Sequence, residues 1–323
     1  MKKLILAAFL FVSTFSTSTL AEIKMGVILG FTGPIESLTP AMAASAELAF
    51  KEASDSGKLL GGETISVERA DSTCVDSAAA TSAAEGLVAN GVVAIMGADC
   101  SGVTGAIATN VAVPNGVVMV SPSATSPGLT DLNDNGYFFR TAPSDARGGQ
   151  ILADITKDRK IKSVAITYTN NDYGKGLADV YKAAVEAHGI KVTTVAAHED
   201  GKADYSAEVA TLASAGGDAV AVIGYIDQGG KGIIQASLDS GAFDIFILSD
   251  GMIGDSLTDN FGKALNKSFG SLPGSTGKGA GVFADVAKAG GIDSSGPYTG
   301  ESYDAAALIT LAMQAGGKAD RAT

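Results

Sequence analysis

Residues 97–125 read GADCSGVTGAIATNVAVPNGVVMVSPSAT. The stretch holds two strand ends, each opening into a small, hydroxyl-rich turn. Gly97, Ala98, Asp99, Cys100 and Ser101 follow the apolar run 92–96, and Ser121, Pro122, Ser123, Ala124 and Thr125 follow the run 117–120. A helix-patterned segment, 103–111, lies between the two runs. Strand, helix and strand in this spacing predict a right-handed βαβ unit and a parallel sheet. Small residues at such strand ends let a ligand come close to the backbone, and hydroxyls with free amides suit a carboxylate.

The same alternation extends in both directions. Upstream, 23–29 reads as a strand and 39–53 as a helix with its apolar stripe through Met42, Ala46, Ala49, Phe50 and Ala53. Residues 64–70 alternate at period two, and 77–89 form an Ala-rich helix. The pattern weakens over 126–144, where Asp131, Asn133, Asp134, Asn135 and Gly136 make a loop, 137–140 a strand, and Pro143 punctuates a crossing to a second unit. Helices are then expected at 148–157, 173–187, 205–214, 229–240 and 254–265, and strands at 163–168, 191–196, 219–223 and 245–248. A Gly- and Ser-rich second crossing spans 268–281, followed by helices at 283–289 and 303–314. The expected architecture is α/β: two Rossmann-like parallel-sheet lobes joined by a multi-crossing hinge. Residues 22–143 plus 274–323 form lobe 1 and 144–273 form lobe 2.

The N-terminus, residues 1–21, carries Lys2 and Lys3, then the apolar run LILAAFLFV, then a Ser/Thr-rich segment ending in Ala21. That order predicts a secretory signal peptide cleaved after Ala21. The apolar run is far shorter than the ~18 residues a membrane span needs, and no cysteine near the cut suggests a lipid anchor. The formal charge of −12 becomes two units more negative once Lys2 and Lys3 are removed. Such an acidic chain is repelled by nucleic acid and by anionic membrane surfaces. In an exported chain, Cys74 and Cys100 favour a disulfide over a metal pair, two buried free thiols being the alternative. No metal or other cofactor is expected.

In open parallel sheets, ligands bind beyond the carboxyl ends of the strands. Lobe 1 offers hydroxyls and amides there, uncharged apart from Asp99. Lobe 2 offers Tyr173 after one strand, Tyr225 after a second, and Asp250 after a third. Facing each other across a cleft, the two sets would hold a zwitterion: its carboxylate on Ser101, Ser123 and Thr125, its ammonium on Asp250, with Tyr173 and Tyr225 as walls. Each residue also has an ordinary reading. Ser and Thr after strands are common helix caps, Asp250 before Gly251 suits a turn, Asp99 suits a cap, and the tyrosines suit packing over sheet ends.

Enzyme templates fail. The chain holds no GxSxG, HExxH or Walker A loop, and Gly26, Gly30 and Gly33 do not have dinucleotide spacing. His188 and His198 fall at helix-end and loop positions and are expected to be solvated, so neither serves a nucleophile. An α/β enzyme acting on a small substrate is therefore the least favoured reading.

Taken together and in this order, the segments GVILGFTGP (26–34), DSTCVD (71–76), GADCSGVT (97–104), VSPSATSPGLT (120–130), FRTA (139–142), NDYGKGLA (171–178) and YDAA (303–306) resemble the periplasmic branched-chain amino-acid (leucine/isoleucine/valine) binding proteins of ABC importers. The resemblance runs from Ile23 to about residue 315. It implies a type I periplasmic-binding fold and a Cys74–Cys100 disulfide. It implies that Ser101 and Thr125 hold the ligand carboxylate, helped by backbone at Ser123, and that Asp250 pairs with the ammonium where the best-known relatives carry Glu. It also places Tyr173 and Tyr225 on ligand-contacting positions and Tyr298 on an aromatic position near the ligand. Two departures follow. The chain has Ile35, Glu36, Ser37, Leu38, Thr39 and Pro40 where relatives often set an aromatic over the side-chain pocket, and it ends near the third crossing, which the family completes. The expected function is a monomeric periplasmic receptor that delivers an aliphatic or other small amino acid to an inner-membrane ABC permease. The alternatives are a sensor of the same fold, or the same binder for an amide, urea, a short peptide or an aromatic acid. Side-chain specificity is expected to be set around 36–38, Tyr173, Tyr225 and Tyr298.

Overall fold

The computed structural model describes residues 22–274 and 277–322; the signal peptide expected at 1–21 lies outside them. The strands form two five-stranded, all-parallel sheets. The first contains β1 (Glu22–Leu29), β2 (Thr64–Asp71), β3 (Ala94–Gly97), β4 (Val118–Ser121) and β5 (Phe138–Arg140), in the order β2-β1-β3-β4-β5. The second contains β6 (Ser163–Thr169), β7 (Lys191–His198), β8 (Ala219–Ile223), β9 (Phe246–Leu248) and β10 (Phe269–Gly270), in the order β7-β6-β8-β9-β10. Counted within each sheet, both orders are 2-1-3-4-5, so the two lobes share one architecture. In each sheet the order reverses between the first and third strands, and the crevice at that reversal is where such folds bind ligands.

The sheets are parallel because helices return the chain after nearly every strand. These are α1 (Thr39–Asp55), α2 (Ser77–Ala89), α3 (Ser101–Ile107), α4 (Asp145–Asp158), α5 (Asp172–Ala187), α6 (Ser206–Ala215), α7 (Gly229–Ser240), α8 (Asp255–Phe261), α9 (Lys278–Ala289) and α10 (Thr299–Gly316). Strands β3, β8 and β9 are buried on both faces, which is why they read as continuous apolar runs instead of alternating. One hydrophobic cluster covers a face of the first sheet with α1 and α10, and another covers a face of the second with α6 and α7. A third runs across the junction, joining Ile28, Ile95 and Ile107 to Ile166, Tyr181 and Ile223. Leu38 packs against all three clusters.

Three details depart from the sequence expectation. The stretch 268–281, read as a crossing, contains the two-residue strand β10 and the start of α9. The last helix starts at Thr299, four residues before the expected 303. His198 is not solvated: it is 2% exposed at the end of β7, its Nδ1 2.8 Å from Thr167 Oγ1, and its ring meets that of Tyr205 edge-on. No helix among the described residues is long and apolar enough to cross a membrane.

Candidate functional site

Strands β3 and β4 deliver the two hydroxyl turns. Gly97 closes β3 at φ +127°, and a Cβ there would lie 2.1 Å from Ile28 O, so the chain can leave the sheet only through glycine. Asp99 follows, fully buried. Its Oδ2 accepts from Gly30 N at 2.6 Å, and its Oδ1 accepts from Ser72 Oγ at 3.0 Å and Cys100 N at 2.9 Å. It thus pins the end of β3 to the end of β1 and to Ser72 beyond β2; burial raises its pKa while these donors hold it down. Cys100 is bonded to Cys74, so the disulfide fixes the residue directly before Ser101.

Ser101 opens α3, and its Oγ accepts from Ser126 N at 3.0 Å, tying the first turn to the second. Ser121 Oγ accepts from Ala124 N at 3.0 Å, and Ser123 Oγ donates to Asp99 O at 3.2 Å. Thr125 is fully buried, and its Oγ1 completes no hydrogen bond.

Lobe 2 supplies the acid. Asp250 begins a short 3-10 turn after β9, and its carboxylate is gripped by two tyrosines: Tyr173 donates to Oδ1 at 2.7 Å and Tyr298 to Oδ2 at 2.6 Å. The Tyr173 hydroxyl also lies 2.9 Å from Ser249 Oγ and accepts Gly251 N–H at 3.2 Å. Tyr298 sits at φ +58° just before α10, so a residue from the chain after the second crossing reaches the acid of the other lobe. Tyr225 stacks on Tyr173 with ring centroids 5.2 Å apart.

These groups enclose a small cavity of about 30 Å³. Ser101, Ser123, Tyr173, Tyr225, Tyr298 and Asp250 all line it, together with Asp99. Thr125 does not line it. Ile35, Leu38 and Met42 complete the wall and make it apolar. Leu38 falls in the segment expected to set specificity; Glu36 in that segment is exposed. Two larger grooves adjoin parts of this set: one of about 530 Å³ is lined by Ser37, Leu38 and residues 252–258, and one of about 320 Å³ includes Tyr298. No group of side chains among the described residues has the makings of a metal centre.

Asp145 belongs with this set and gave no signal in sequence. It is 4% exposed at the start of α4, its N donates to Thr125 O at 2.9 Å, and its Oδ2 has no partner. Burial first, then the charge of Asp250, pushes its carboxyl well above the usual carboxylate range; Thr125 and Arg140 oppose this without cancelling it. Asp250 is raised by burial and lowered by its two tyrosines. Two buried, mutually repelling carboxylates, with Arg140 acting on Asp145 alone, form a site short of positive charge. An ammonium group supplies it.

Comparison with known proteins bears on the family and the fold. A family model described as periplasmic binding protein matches residues 22–323. Leu/Ile/Val-binding protein homolog 3 of Brucella melitensis is 33% identical over 67% of this chain and 58% of its own length. Leu/Ile/Val-binding protein homolog 1 of the same organism is 31% identical over 96% of this chain and 82% of its own length. The chain thus spans only part of the length of these relatives. Among solved structures, the branched-chain amino acid transporter substrate binding protein LivJ of Streptococcus pneumoniae, in complex with isoleucine, superposes with a TM-score of 0.79 at 24% identity, covering 93% of this chain and 86% of that one.

Proposed function

We propose, for a chain that belongs to the periplasmic binding protein family, that it is a receptor that closes two lobes over a small aliphatic amino acid and hands it to an ABC importer. The observation that carries this is the pairing of a hydroxyl-lined turn on one lobe with a tyrosine-held, charge-starved carboxylate on the other. In this reading the ligand carboxylate rests on Ser101 and the amides near Ser123, with Thr125 reached as the turn adjusts. The ammonium sits against Asp250, and Asp145 lowers the local potential behind it. Asp is one methylene shorter than Glu, and Tyr173 and Tyr298 compensate by pinning the carboxylate toward the cavity.

The side chain would meet Ile35, Leu38 and Met42. These walls favour leucine, isoleucine or valine over polar side chains, because apolar area buried against them contributes roughly 25 cal/mol per Å². The site lies between the lobes and has little free room, about 30 Å³, so in this reading the ligand enters as the lobes part and is held as they re-close. The hinge would lie at 141–144 and near 271–274, dividing the chain into 22–143 plus 274–323 and 144–273. We take the protein to be exported, cleaved after Ala21, and to work in the periplasm as a monomer docking on an inner-membrane permease, with no catalytic step and no cofactor.

A thermal-shift screen of the purified mature protein against the common amino acids tests this. Leucine, isoleucine and valine are expected to raise the melting temperature by mass action. Absence of a shift with every amino acid, confirmed by calorimetry, would overturn the reading.

A further inference from the structure

The apolar wall of the cavity belongs to lobe 1, yet a lobe 2 residue holds it in place. Asp227 follows β8 and is half-buried. Its N–H donates to Pro34 O at 2.9 Å, and its Oδ2 accepts from Ser37 N at 2.8 Å. Its other oxygen, Oδ1, is steadied within lobe 2 by Ser256 Oγ at 3.2 Å. Between the two gripped backbone groups lies Ile35, and directly after them Leu38, two residues of the side-chain wall. Gly254 lets the tip of Leu38 settle: a Cβ there would lie 2.9 Å from Leu38 Cδ2 and 2.9 Å from Ile226 Cδ1. Asp227 itself does not line the cavity.

We propose that Asp227 is a positioning residue for ligand retention. It clasps the segment 34–38 onto lobe 2 when the lobes meet, setting Ile35 and Leu38 against the ligand side chain. The clasp exists only between lobes. Its loss therefore acts on the closed, liganded form and leaves the separate lobes intact. A charge-assisted bond at such a seam slows ligand release more than it affects capture. The inference rests on the reading that the cavity takes an aliphatic amino acid.

The test compares wild type, Asp227→Ala, Asp227→Asn and Gly254→Val, each with and without leucine. Asp227→Ala is expected to raise the leucine dissociation constant about tenfold to a hundredfold. The change should fall in the off-rate, with the ligand-free melting temperature unmoved. Asp227→Asn keeps an acceptor for Ser37 N and should recover part of the loss. Gly254→Val, which crowds Leu38 and, within lobe 2, Ile226, should also raise the leucine off-rate, and its ligand-free melting temperature is expected to fall because of the Ile226 contact. Two results overturn the proposal: leucine affinity unchanged in Asp227→Ala and Gly254→Val, or a ligand-free melting temperature of Asp227→Ala that falls in step with affinity, which marks an ordinary stabilising role. If wild type shows no response to leucine, isoleucine or valine, the amino-acid reading fails and this inference falls with it.

Discussion

Replacing Asp250 by Asn separates a ligand-binding carboxylate from a structural one. In the wild type, Asp250 accepts from Tyr173 and Tyr298 and is buried beside a second acid, Asp145. The amide has the same shape, and either tyrosine hydroxyl can turn to accept from its Nδ2, so the fold keeps its contacts. The ligand-free protein loses one of two mutually repelling buried charges, and its stability at neutral pH should hold or rise. An ammonium ligand loses its buried counter-charge, which costs about 2–5 kcal/mol, or roughly 30- to 5,000-fold in dissociation constant. Calorimetry with leucine, paired with ligand-free melting curves, reads both quantities. Opposite movements, weaker binding with equal or greater stability, support the assignment. Unchanged affinity would refute it and point to a ligand without an ammonium group, and affinity and stability falling together would mean that Asp250 chiefly holds the tyrosines.

Cys74→Ser opens a bridge of sequence separation 26 and is expected to cost about 3–4 kcal/mol of stability in the chain-entropy model, read by urea unfolding with and without reductant. Gly97→Ala sets a Cβ 2.1 Å from Ile28 O at a φ of +127° and should destabilise lobe 1 by roughly 2 kcal/mol or more, seen as a lowered melting temperature. His198 has its pKa depressed from 6.5 to about 4 by burial. The native state therefore favours the neutral ring, and the stability this contributes is present above pH 6.5 and lost as pH falls toward 4, about 3 kcal/mol in all. His198→Asn should flatten that acid limb in melts taken between pH 7 and pH 4.

The fold was legible because its strands and helices differ in length and period, and the hydroxyl turns were legible because they interrupt apolar runs. Tyr173, Tyr225 and Asp250 line one cavity because strand ends in a parallel sheet all point to one edge; Tyr298, which precedes α10 and follows no strand, was expected near them only from the family resemblance. The hidden features share physical causes. Asp145 follows the cap Ser144, and an acid in the first turn of a helix is ordinary dipole chemistry, so nothing marked it as buried. His198 continues β7 past the last apolar residue, where polarity reads as loop. Strand β10 is two residues long, too short to show a period, and Gly279 and Gly281 disguise the first turns of α9. The clasp at Asp227 joins residues 190 positions apart, a separation at which single-sequence patterning carries no information.

The identical 2-1-3-4-5 order of the two sheets bears on how tightly such a molecule can hold a solute of a few heavy atoms. On the proposed function each lobe would present half of a site at its own crevice, and a half-site would meet one end of the ligand with a few hydrogen bonds or one ion pair. An amino acid held this way would behave as a bivalent linker between two weak binders. The chain segments crossing between the lobes make the second engagement intramolecular, at an effective concentration on the order of millimolar or above. On this view affinity can be tuned by the crossings, through the reach and stiffness of the segments 141–144 and 271–274, while every atom that touches the ligand stays the same.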